Sequence, residues 1–140
     1  MYRLLMLAAL LLPPGAGAAQ EPTAGLLAAA GQARDAWFAH DPARLVAGSP
    51  RLLVQLPGAD PSAALPAPQA AALLADFLAS AQEVETVVRA AREVERGRGY
   101  VELQRRYRVA GTQEIRTQSL LLGYRLERTG WSLVELRVVG

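Results

Sequence analysis

The chain has 140 residues, 51% of them hydrophobic and 20% charged, with a formal charge of +2; this is one domain's worth and excludes a disordered polyelectrolyte. It contains no cysteine and one histidine, which excludes disulfides, thiolate chemistry and a multi-histidine metal centre within one chain. All of the basic residues are arginine and acids nearly balance them, so nothing here supplies the concentrated basic surface that nucleic acid requires.

In chain order, Arg3 gives a positive start, residues 4–12 form an unbroken apolar run, and Pro13-Pro14-Gly15 interrupts it before the small residues Ala16-Gly17-Ala18. This is the pattern of a cleavable secretory signal over residues 1–18, cut after Ala18 or Ala19. The run is far shorter than the roughly 20 residues a bilayer span needs, and no second such run follows. The expected product is a soluble periplasmic or secreted protein with no membrane span. Residues 19–23 read as a flexible leader and residues 24–140 as a single domain.

Leu26, Leu27, Ala30, Ala33, Trp37 and Phe38 recur at helical steps and predict a helix over 24–40, anchored by Trp37 and Phe38. Asp41-Pro42 follows as a cap and first position of a short second helix. Residues 51–56 form a short apolar strand, residues 59–67 a proline-bearing loop, and residues 68–80 a helix with Ala71, Leu74, Phe77, Leu78 and Ala81 along one side. Residues 82–94 fit either periodicity; a strand with Val84, Thr86, Val88, Ala90 and Val94 on one face is preferred, because Glu95 to Gly99 resembles a hairpin connection. Residues 100–109 alternate cleanly, with Val101, Leu103, Arg105, Tyr107 and Val109 on one face. A long strand over 113–127 carries a bend or bulge at Gly123, and the last strand covers 131–139, with Val134, Leu136 and Val138 inward. The fold class is α+β: helices packed on one face of a curved antiparallel sheet.

This order resembles the nuclear-transport-factor-2-like superfamily, and especially its small exported bacterial members. The pieces that carry the resemblance are Trp37-Phe38, Asp41 with Leu45, Leu52-Leu53-Val54-Gln55-Leu56-Pro57-Gly58, residues 69–78, and Gly130-Trp131-Ser132-Leu133. The resemblance implies a cone: a bent sheet around helices, with a pocket in its concavity. Members include isomerases, dehydratases, cyclases and non-enzymatic binding modules, so fold alone does not assign chemistry.

Few residues suit a site. His40-Asp41 is a tempting acid–base pair, but neighbours at a helix end point apart and Asp41 sits where a cap belongs. Asp76 reads as a solvent-facing charge on its helix, and is the acid an enzyme would have to use. Arg105 shares the inward face of its strand and must have an anion. One reading places it in a cross-strand ion network on an exposed or dimer-facing sheet surface. Glu135 and Arg137 are its nearest candidates there, although the inward set on their strand turns them out. The other reading places Arg105 at the mouth of an anion-binding pocket, with Tyr107, Gln118 and Tyr124 as its ligand-binding lining. Gly97-x-Gly99 leads into no helix, which rules out a phosphate loop. The acids interspersed around Arg105-Arg106-Tyr107-Arg108, with the export signal, argue against RNA.

The expected function is an exported, non-catalytic module that binds a small molecule or an envelope protein, without cofactor or metal, as a homodimer through its sheet. The alternatives are a cofactor-independent isomerase, dehydratase or cyclase using Asp76, and an accessory subunit of a cell-envelope complex.

Overall fold

The computed structural model describes residues 14–140, with side chains from Ala24 onward; the apolar run of the expected signal segment lies outside the described residues. Helix α1 runs Pro14–Phe38, beginning before the position at which the apolar periodicity starts. Leu26, Ala30, Ala33 and Trp37 form its buried stripe, joined by Ala36. Leu27 and Phe38 are half-exposed, so Phe38 does not anchor the helix as expected. Each lies one residue past a member of the stripe, and one residue is about 100° of helical rotation.

The end of α1 has an unusual residue at a familiar turn. The His40 amide donates to the Trp37 carbonyl at 2.9 Å and the Asp41 amide to the Ala36 carbonyl at 2.9 Å, the paired bonds of a Schellman motif. The left-handed position is normally glycine, but here it is His40, with φ 54°. Asp41 then caps α2 (Pro42–Leu45), its carboxylate accepting from the Arg44 amide at 3.2 Å, as its sequence position predicts.

Strand β1 (Arg51–Gln55) buries Leu52 and Val54. The following loop folds back on it: the Ser62 amide donates to the Val54 carbonyl at 2.8 Å, and the Val54 amide donates to Ser62 Oγ at 2.9 Å. Within the stretch expected to be all loop, Leu65–Pro66 forms a short strand β2 against β1. Helix α3 (Ala67–Leu78) buries Ala70, Leu74 and Leu78. Strands β3 (Ala81–Glu95), β4 (Arg98–Val109), β5 (Ile115–Glu127) and β6 (Gly130–Val139) follow as an antiparallel meander. The sheet order is β2-β1-β6-β5-β4-β3, and β1 joins β6 in parallel.

Bulges curve this sheet. On β3 the pairing register shifts between Glu83 and Glu85, between Val88 and Ala90, and between Glu93 and Glu95. The unpaired residues Val84, Arg89 and Val94 thus recur every fifth position, and each bends the strand and increases its twist. Glu83, Thr86, Val88, Ala91 and Glu93 pair with the inward-facing residues of β4, so they replace the expected face of Val84, Thr86, Val88, Ala90 and Val94. The spacing of that set alternates between three and two, which lies between strand and helix periodicity and explains why the segment reads ambiguously.

On β6 a further shift opposite Gly123 leaves Val134 unpaired. The inward set there is Leu133, Leu136 and Val138, one residue different from the expected Val134, Leu136 and Val138. Gly123 has the bulge predicted for it; a Cβ there would lie 3.3 Å from Glu135 Cβ.

The core fills the space between α1, α3 and the concave sheet face. Gly99 on β4 is its tightest approach: a Cβ would stand 2.8 and 2.9 Å from the two methyls of Leu26 and 3.2 Å from the Trp131 ring. Leu26 is fully buried, so its methyls can shift only against other core side chains. Gly99→Ala is therefore expected to cost about 1–3 kcal/mol by overpacking, read as a lower urea midpoint with unchanged denaturant slope.

Candidate functional site

The uninterrupted alternation of β4 turns Arg105 inward, where it is 1% exposed. Its anion is Glu83, whose side chain is 2% exposed. Arg105 Nε donates to Glu83 Oε2 at 3.2 Å, Nη2 donates to Glu83 Oε1, and Nη1 donates to Gln118 Oε1 at 3.0 Å. The contact with Glu83 is the two-pronged fork that suits guanidinium and carboxylate. The bulge at Val84 makes it possible, because it sets Glu83 on the same face as Thr86, which stands opposite Arg105.

Aromatic rings enclose the pair. The guanidinium carbon lies 3.9 Å from the Tyr107 ring centre, 5.2 Å from Trp37 and 5.6 Å from Phe77, all within cation–π range. His40 reaches it from the end of α1, with Nε2 3.2 Å from Glu83 Oε1. The left-handed backbone at His40 costs about 1–2 kcal/mol, and it aims the imidazole at Glu83. His40 and Asp41 thus part as expected, one toward the sheet and the other onto α2.

Arg105, Tyr107 and Gln118 therefore come together, on an anion that the chain itself supplies. Glu135 and Arg137 pair with each other on the outer face. Of the two readings left open for Arg105, the exposed ion network does not apply, because the residue is inside. Glu83 is the member that sequence reasoning missed, and His40, weighed only as an acid–base partner of Asp41, joins it instead as a neighbour of Glu83. Asp76 is exposed on α3.

Tyr124 lies elsewhere. It shares the inward face of β5 with Gln118, but six residues of extended strand separate the two by about 20 Å. It lines a cleft of about 140 Å³ between α1, the α2 turn and β5–β6, with Ala29, Gln32, Ala33, Arg44, Leu45, Ala47, Trp131 and Leu133. Tyr124 is 6% exposed, and burial pushes its phenol above the ordinary tyrosine range. Its hydroxyl has no hydrogen-bond partner among the described residues.

A ketosteroid isomerase-like protein from Erwinia carotovora atroseptica has a similar fold. The two superpose with a TM-score of 0.68 at 15% identity, over 84% of this chain and 95% of that one. The fold is nuclear-transport-factor-2-like. A nuclear-transport-factor-2-like protein of unknown function from Shewanella oneidensis matches with a TM-score of 0.57 at 10% identity, covering 84% and 98% of the respective chains. A third, a hypothetical protein with the ketosteroid isomerase-like fold from Catenulispora acidiphila, was crystallised with trimethylamine; it matches with a TM-score of 0.64 at 11% identity, over 80% and 84%. No family model and no curated protein matches the sequence. Among the described residues no helix is long and apolar enough to cross a membrane, and no cluster of three or more histidine and acidic side chains is placed to hold a metal.

Proposed function

We propose that this chain is an exported, non-catalytic binding module working in the periplasm or outside the cell. One observation carries this reading. The charged groups in the concave interior satisfy one another: all three guanidinium nitrogens of Arg105 are engaged by Glu83 and Gln118 under a lid of aromatic rings. An isomerase or dehydratase of this fold would instead need a free acid facing an interior void, and Asp76 is on the outside. Arg105, Tyr107 and Gln118 then hold the fold, and Tyr124 is left to meet a ligand.

The signal-like start of the chain supports export. The outer sheet face, where Leu121 stands opposite Glu102 and Tyr100 opposite Gly123, offers a second copy a mixed apolar and charged surface. Native mass spectrometry of the protein recovered from the periplasm of an exporting host tests the proposal. The expected spectrum carries an added mass, a small molecule or a second polypeptide, released on denaturation. A chain that is bare in every preparation contradicts it.

A further inference from the structure

The binding reading leaves open where a ligand sits and what it is. We infer that the cleft between α1, the α2 turn and β5–β6 is a site for a small organic carboxylate, its apolar body inside and its charge on Arg44. This rests on the binding-module reading and narrows it to one place and one ligand class.

Size comes first. A cleft of about 140 Å³ is close to the roughly 150 Å³ of an apolar cavity that admits benzene. It holds a single ring or a branched aliphatic group, and nothing as large as a steroid. Its walls suit such a body: Ala29, Ala33, Leu45 and Leu133 are aliphatic, and the Trp131 ring closes one side.

Charge comes second. Among the described residues Arg44 is the one charged residue in the lining, and no carboxylate pairs with it there. The nearest acid in sequence, Asp41, is turned onto the first turn of α2 and accepts from the Arg44 backbone amide. A guanidinium at the rim of a cleft whose other described residues are uncharged selects an anion, and its planar fork fits a carboxylate.

The third observation is the Tyr124 hydroxyl. The side chain is buried, yet its phenol has no partner among the described residues. The hydroxyl is not one of the sealed, unpartnered groups of the fold; it stays open toward the cleft and can donate to a ligand oxygen in place of water. The ligand is thus opposite in charge to the trimethylamine found with the Catenulispora protein.

Isothermal titration of the mature chain with benzoate, benzamide and acetate tests the inference. Benzoate has both the ring and the charge, benzamide lacks the charge, and acetate lacks the ring. Benzoate is expected to bind about tenfold or more tighter than either, as one charged hydrogen-bonded contact implies. Arg44→Gln, an exposed change, should remove the preference for benzoate over benzamide. Tyr124→Phe should weaken benzoate about three- to tenfold while the unfolding midpoint stays near that of the parent. Equal affinity for benzoate and benzamide, no binding of benzoate, or variants that bind like the parent would overturn the site. If native mass spectrometry finds a retained ligand that Arg44→Gln and Tyr124→Phe still hold, the site is wrong and the binding module stands. If nothing is retained and benzoate does not bind, both fall.

Discussion

Glu83→Ala is expected to lower the unfolding free energy by about 3–5 kcal/mol, because it leaves a buried guanidinium without its counter-charge. Arg105 is 1% exposed and cannot reach water without opening β4. Gln118 supplies only a neutral oxygen, and the rings of Tyr107, Trp37 and Phe77 solvate a cation weakly by comparison with a carboxylate. The loss should appear in urea unfolding as a lower midpoint. A loss below about 1 kcal/mol would mean that the guanidinium reaches solvent, as surface pairs do.

Trp37→Ala should cost a similar amount, about 3–5 kcal/mol, for removal of a large buried aromatic. Trp37 is fully buried at the last turn of α1, packs against Phe77 with ring centres 6.4 Å apart, and covers Arg105. The indole nitrogen has no hydrogen-bond partner among the described residues, so little hydrogen bonding is lost with it. Trp37→Phe is therefore expected to cost distinctly less than Trp37→Ala, since it keeps a ring over the guanidinium and removes an unsatisfied donor. Equal losses in thermal unfolding of the two variants would place the indole N–H in a bond that the fold depends on.

How much of this was legible in the sequence follows from the regularity of each strand. On β4 the period of two runs unbroken, so Arg105 and Tyr107 read correctly as inward, and Gln118 is their neighbour across the ladder. On β3 three bulges reset the alternation, and the face on which Glu83 belongs cannot be found by counting twos. The same effect at Val134 shifted the inward set of β6 by one residue. His40 was visible as a helix end, but a left-handed histidine in a position that favours glycine carries no mark in the residue pattern. Tyr124 was grouped with Arg105 because both faced inward; alternation reports the face and not the distance along the strand. The α1 stripe read well because it obeys a single period, and Phe38 misled because it is next to Trp37 in sequence and a quarter-turn away in space; on α3 the buried stripe is Ala70, Leu74 and Leu78, with the expected Ala71 and Phe77 at its edge and Ala81 already in β3.

The most direct test exchanges the interior pair for apolar residues of similar size, Glu83→Leu with Arg105→Met. If the pair is an internal scaffold, the double variant should be far more stable than Glu83→Ala and should still bind benzoate, or hold its native ligand, as the parent does. A folded double variant that has lost its ligand would show that Arg105 serves the ligand after all, and that the concave interior is the binding site.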